Sequence, residues 1–297
     1  MGLVAALFAA MAFVPALGNE YLRSVALSLA MWIALTESWL LLSGLTGYLS
    51  LGHAVFYGIG AYVGVLLWGH VPLWLAVIIG GAVGGASALL VGFPVLRVRG
   101  PYFVMLTFGL AELVKYLVTW IEAGLGQYGR IVVGPPSLNT LFYFMLALAI
   151  AATCLTHVVS RSRVGYALRA IRENEEAAET AGVPVVYFKV FAFVASAIIP
   201  SMAGVVMMMR TTFFEPAAAF DPVVSFTIIT MAMIGGRDNA SGPLVGAIFL
   251  AIVSELLWAN WPQVYMIVLG ALLVSFVLFA RDGLVGLLLQ KRKASAT

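Results

Sequence analysis

Arg169 and Glu173, and likewise Arg172 and Glu176, stand four residues apart in the stretch Arg161 to Pro184, RSRVGYALRAIRENEEAAETAGVP. Side chains at that spacing share one face of a helix, so the chemistry on offer is ion pairing and charged recognition rather than bond making. Eight charged residues fall between Arg161 and Glu179. At the centre of a bilayer each would cost roughly 2.5 to 3.5 kcal/mol, so this stretch must sit in water. Leu168, Ile171, Ala178 and Ala181 form one apolar stripe, and the spacing predicts a single amphipathic helix, capped by Ser162 and ended by Gly182 and Pro184. Such a helix either lies on the bilayer surface or presents a face to a soluble partner. Its carboxylates, Glu173, Glu175, Glu176 and Glu179, gather in its second half, where anionic lipid would repel them. That favours a partner.

Four other ionisable groups, Glu37, Glu112, Lys115 and Glu255, fall inside apolar runs, where charge is a functional suspect by default. Glu112 and Lys115 are three apart and can satisfy each other, while Glu255 is close enough to the Trp258–Pro262 boundary to reach the headgroups. The three histidines, His53, His70 and His157, show no ligand spacing, and the one cysteine, Cys154, can support neither a disulfide framework nor a thiolate metal site. The chain has no GxxxxGK[ST] phosphate loop and no paired catalytic signature, so neither an enzyme nor a bound cofactor is expected. Any energy consumed must be consumed by another subunit.

The elements that position these residues are dictated by composition. The 297 residues are 63% hydrophobic and 10% charged, with mean hydropathy +1.05, which excludes a soluble globular protein. The net charge of +3 then bears on membrane topology and gives no reason to expect nucleic acid. Apolar runs at 3–17, 21–43, 50–68, 73–95, 101–121, 139–159, 187–209, 222–236, 242–258 and 263–280 predict an all-α, polytopic bundle of about ten spans in one membrane domain, 1–297. Residues 3–17 read as a retained span or as the core of a signal. The basic n-region that a signal requires is missing, since the first basic residue is Arg23. The short runs 222–236 and 242–258 read as two spans or as a re-entrant hairpin. Either way, twelve basic residues fall on one side and Arg23, Lys115, Arg130 and Arg210 on the other. The positive-inside rule then puts both termini and the 161–186 loop in the cytoplasm.

Two glycine-rich stretches interrupt the runs. In GLTGYLSLGHAVFYGIGAY (44–62), five glycines break an apolar stretch, and broken backbone in a membrane must be buried in protein or line a watered cavity. Ser50, His53 and Tyr57, with Glu112, are therefore the candidates for a translocation path. Gly60 and Gly64, Gly80 and Gly84, and Gly81 and Gly85 are GxxxG pairs better suited to helix packing. IGGRDNASGP (234–243) puts Arg237 and Asp238 in a tight turn, which solvation alone explains. Loops 122–138 and 210–221 lie on the outer face.

Four strings together, 44–62, LRVRGPYFVMLTFGLAEL (96–113), GYALRAIRENEEAAETAGVPVVYFKVFAFVASA (165–197) and IGGRDNASGPLVGA (234–247), resemble the successive signatures of the branched-chain amino acid ABC transporter permeases, and more closely the longer-loop member of the permease pair. The resemblance covers about residues 21–286. It implies an inner-membrane subunit working with a second related permease, two ATPase subunits that bind the ATP, and an extracytoplasmic binding protein. It further implies that the helix in 161–186 couples to an ATPase through Arg169, Arg172, Glu173, Glu176, Ala177, Ala178 and Gly182. Glu176-Ala177-Ala178 with Gly182 is similar to the opening of the importer coupling signature, whereas the later isoleucine and Leu-Pro of that signature are not reproduced. GGRDNASGP keeps both glycines and the Gly242-Pro243 pair where relatives carry GGxGTxxGP. Related permeases carry urea, short amides or aromatic acids, and these are the alternative substrates. The rival from another class, an ion-coupled transporter acting alone, would have to build its relay from Glu37, Glu112 and Glu255.

Overall fold

The computed structural model describes residues 2–126, 129–236 and 242–260, with isolated positions between 264 and 283. The chain is all-α apart from one two-residue ribbon. In order come α1 (Gly2–Ala12), a 3-10 turn (Val14–Leu17), α2 (Glu20–Trp39) running into a π-helical turn (Leu40–Gly44), α3 (His53–Leu67), α4 (Leu73–Val95), α5 (Pro101–Gly124), β1 (Arg130–Ile131) and α6 (Leu138–Arg161). Then follow α7 (Arg163–Glu173), α8 (Glu175–Thr180), α9 (Val185–Met208), β2 (Phe213–Phe214), α10 (Pro216–Ala219), α11 (Pro222–Gly235) and α12 (Gly242–Asn260).

Six helices among the described residues are long and apolar enough to cross a membrane, and three shorter apolar helices accompany them. Nine of the ten apolar runs are thus helical. The tenth, 263–280, is described only at scattered positions, and the Arg237–Asp238 turn lies outside the described residues. The protein is a multi-pass membrane protein.

The core is built round α9, which packs most extensively against α3 and α4, while α2 packs against α6 and α11 against α12. Glycine makes the first contact possible. A Cβ on Gly60 of α3 would stand 1.8 Å from the Ser201 carbonyl oxygen of α9, and one on Gly204 of α9 would stand 2.0 Å from the Tyr57 carbonyl oxygen of α3. The predicted glycine pairs do pack: Gly80 and Gly84 of α4 face Val205 and Ser201 of the same helix α9. Without a hydrophobic drive between helices in lipid, such close backbone contact is what holds them together.

Two ends of the bundle can be distinguished by contact. At one end α7 and α8 meet the end of α2 and the starts of α5 and α9. At the other, β1 pairs antiparallel with β2, Arg130 opposite Phe214 and Ile131 opposite Phe213, and Arg210 after α9 donates to Ser24 and Ser28 at the start of α2. The basic residues Arg99, Arg172 and Lys189 fall at the first end and Arg130 and Arg210 at the second, as the charge reading grouped them.

Candidate functional site

The hydrophilic stretch is two helices rather than the one the spacing predicts. Ser162 caps α7 as expected, its Oγ accepting from Gly165 N, but the helix breaks at Asn174, which is extended (φ −159°, ψ 110°). Asn174 Oδ1 accepts from the backbone N–H groups of Glu176 and Ala177 and so starts α8 afresh. An amide that can satisfy two orphan donors makes the break inexpensive. At the far end Gly182 takes a left-handed φ of 87°, and Val183 N closes onto Ala178 O.

This geometry sorts the predicted coupling residues by face. Leu168, Ile171 and Ala178 are buried, whereas Ala181, assigned by periodicity to the same stripe, is exposed because α8 has already ended at Thr180. Glu173, Glu176, Ala177, Glu179 and Gly182 are exposed. Arg169 donates to Ser160 O at 2.8 Å and lies over the exposed Tyr166 ring at 4.8 Å, rather than reaching for Glu173. The outer surface is therefore basic and aromatic on α7 and acidic towards α8.

Glu175 points the other way. Its Oε1 takes Lys189 Nζ of α9 at 2.9 Å and Arg99 Nη2, just before α5, at 3.2 Å. Tyr48, in the segment between the π turn and α3, donates its hydroxyl to Oε2 at 2.6 Å. Lys189 Nζ also donates to Tyr48 Oη and to Leu96 O, each at 3.1 Å, and sits over the Tyr48 ring. Burial alone would raise the Glu175 carboxyl, but the Tyr48 hydrogen bond and the charges of Lys189 and Arg99 outweigh it and hold it below the usual range. Burial, with the adjacent carboxylate, pushes the Tyr48 phenol up. A second tether lies alongside: Arg172 Nη1 donates to Gly44 O at 3.0 Å. Between these groups opens a cavity of about 680 Å³, lined by Leu49, Arg99, Met105 and Glu175 among others.

The broken segment 45–52 leads from here into the bundle. Leu45, Thr46 and Gly47 still bond back into the helical turn before them, but from Tyr48 on the amides have no helix to bind them, and hydroxyls from three spans and from the segment itself take their place. Ser43 Oγ accepts from Ser50 N, Thr107 Oγ1 from Leu51 N, Ser50 Oγ from Gly52 N, and Ser225 Oγ from Ala54 N at the start of α3. Trp39 Nε1 donates to Ser50 O at 3.0 Å. Leaving such groups unpaired in hydrocarbon costs several kcal/mol each, which is why serines and threonines gather here.

Of the path candidates, Ser50 and His53 come together in this break and are fully buried, with both His53 ring nitrogens unpartnered. Tyr57 lies one turn further along α3, its hydroxyl 3.9 Å from Met31 Sδ. Glu112 is not brought to them. It stands on α5, the least buried of the six long helices, 3.9 Å from Lys115 as the spacing allowed. Glu255 takes a hydrogen bond from Tyr21 at 2.8 Å. Periodicity missed a second break: 210–221, read as an outer loop, folds inward through α10, so that Phe220 is buried against Gly58 about a third of the way along α3. Asp221 then caps α11 by accepting from Val223 N.

At the opposite end Glu122 of α5 is buried, takes Arg130 Nη2 at 2.7 Å and accepts from the Tyr62 hydroxyl of α3. The described residues contain no grouping of His, Cys, Asp and Glu that could hold a metal ion.

Sequence reasoning singled out neither Tyr48, Arg99 and Lys189 nor the inward role of Glu175. Lys189, a cation at the third position of the apolar run 187–209, was the available signal.

Residues 21–277 match the family model described as the branched-chain amino acid transport system permease component. The chain is 29% identical over 275 residues to the high-affinity branched-chain amino acid transport system permease protein LivM of Salmonella typhimurium, and equally to LivM of Escherichia coli K12. Each alignment covers 81% of this chain and 64% of the relative, so the chain spans a little under two thirds of their length. The fructose import permease protein FrcC of Rhizobium meliloti is 26% identical over 230 residues, 69% of this chain and 62% of that one. No solved structure matches.

Proposed function

We propose that this chain, which belongs to the branched-chain amino acid transport system permease family, forms half of the translocation path of an ATP-driven importer for branched-chain or related amino acids in the cell inner membrane. It acts with a second related permease, two ATPase subunits and an extracytoplasmic binding protein, and binds no ATP itself. About ten spans form one membrane domain with both termini in the cytoplasm. The α7–α8 loop is the cytoplasmic handle on which an ATPase docks, and rigid-body rocking of the spans exposes the path to each side in turn.

The observation that carries this reading is the two-faced loop: an exposed face bearing Arg163, Tyr166, Glu173, Glu176 and Glu179, and an inner face fastened to α2, α5 and α9. A surface so anchored and left bare is suited to receive a push. The exposed α5 face carrying the Glu112–Lys115 pair is the natural seat for the second permease, since charge at mid-span must be shielded from lipid. The test reverses charges in the assembled complex, Arg169→Glu with Glu176→Arg. Loss of binding-protein-stimulated ATPase activity with intact copurification is expected, and retention of that activity overturns the coupling role.

A further inference from the structure

The tethers beneath the coupling loop have an arrangement that docking alone does not require. Arg172, in the last turn of α7, holds Gly44 O, and Glu175, in the first turn of α8, holds the Tyr48 hydroxyl. Asn174 lies between the two anchors on one side. On the other lies the turn 44–48, where Gly47 takes a left-handed φ of 77° and packs against Arg172 Cγ. A break in a helix pair and a tight turn in the chain below it are thus joined by two short struts.

We infer that the Asn174 break and the turn 44–48 form a paired hinge, in which Arg172 and Glu175 are positioning residues that convert a change of angle between α7 and α8 into a change of shape in the broken segment 45–52. This rests on the proposed docking of an ATPase at α7–α8. Swinging α8 about Asn174 moves Glu175 relative to Arg172, and the charge-assisted bonds at Glu175 are too short and too numerous to stretch without breaking. Lys189 and Arg99 make the far end of the strut stiff, since Lys189 Nζ holds the Glu175 carboxylate, the Tyr48 hydroxyl and the Leu96 carbonyl together. Displacement of Tyr48 then reaches Ser50 two residues on and His53 at the start of α3, and α3 carries it into α9 through Gly60.

The experiment uses the complete complex with Cys154→Ser and Leu49→Cys, which places a thiol in the cavity beside the turn. Maleimide labelling is compared with and without a non-hydrolysable ATP analogue, and amino acid uptake per ATP hydrolysed is measured in vesicles. With the struts intact, nucleotide is expected to change the labelling rate. Glu175→Gln is expected to abolish that change and lower uptake per ATP on the order of tenfold, while ATP hydrolysis stays within about twofold. Tyr48→Phe, which removes one hydroxyl and preserves packing, is expected to lower it about threefold. Hydrolysis retained without uptake is a split that a purely structural role would not produce. Unchanged nucleotide-dependent labelling and unchanged uptake per ATP in Tyr48→Phe or Glu175→Gln overturn the hinge. Labelling that ignores nucleotide with both struts intact does the same, and a complex without any ATPase subunit overturns the proposed function itself.

Discussion

Gly60 of α3 and Ser201 of α9 meet backbone to backbone, so closely that a Cβ on Gly60 would stand 1.8 Å from the Ser201 carbonyl oxygen. This crossing fixes the distance between the helix that begins at the break and the helix that carries Lys189.

Gly60→Ala should therefore force α3 and α9 apart and lower the thermal midpoint of the purified chain in detergent, by an amount corresponding to about 1 to 3 kcal/mol of overpacking. Gly109→Ala on α5 is the control, because a Cβ there meets nothing within 4 Å. It should leave the midpoint unchanged or raise it slightly. Equal losses in the two variants would mean that the α3–α9 crossing is not the tight point.

Thr107→Val removes the acceptor of Leu51 N while keeping the shape of the side chain. An orphaned amide at a buried site costs about 1 to 3 kcal/mol. Thr107→Ser keeps the oxygen and should recover most of that. Hydrogen exchange at Leu51 and Gly52 reads the effect directly, faster in the valine variant and near normal in the serine one.

The depressed carboxyl of Glu175 gives the loop a pH dependence with a definite sign. A group whose folded pKa lies below its unfolded value, here the ordinary 4.5, contributes stability that is complete above that value and is lost as pH falls through the folded one. A spin label at the exposed position 180, introduced as Thr180→Cys with Cys154→Ser, should stay immobile from neutral pH down to the ordinary carboxylate range and loosen below it. Glu175→Gln should remove that acid step. A step that survives the substitution would assign it to another group.

At the opposite end, Arg130→Ala would leave the buried Glu122 carboxylate with Tyr62 as its remaining partner and should free the ribbon β1–β2. Removing one member of a fully buried pair costs about 3 to 5 kcal/mol, and with the Arg130 side chain partly exposed the loss here should fall below that range; Arg130→Lys should recover little, since a point ammonium does not reproduce the guanidinium fork. A disulfide between cysteines at Ile131 and Phe213, which are paired in register, should form less readily in both variants.

The spans were legible because hydrocarbon thickness imposes their length on the sequence, and the glycine pairs because close packing demands small residues at fixed spacing. The break at Asn174 was hidden by its neighbours: Arg169, Arg172, Glu173 and Glu176 keep helical spacing straight through it, and one asparagine weighs little against that pattern. Tyr48 and Glu175 are separated by 127 positions, and no local periodicity reports such a contact. The inward fold of 215–221 was concealed because Glu215, Pro216 and Asp221 resemble a solvated loop. Its signature was on the other side of the contact, in the missing side chain of Gly58.

The brevity of α3 sets a demand on the chain that precedes it. Fifteen residues at about 1.5 Å each make a rod of about 22 Å, some 8 Å less than the hydrocarbon is thick, and hydroxyl-stitched backbone makes up the difference. Because α3 is largely buried against α4, α9 and α11, the missing length is made good inside the protein rather than at the lipid boundary, and each hydroxyl lost from that stitching would leave bare polar backbone within the bundle.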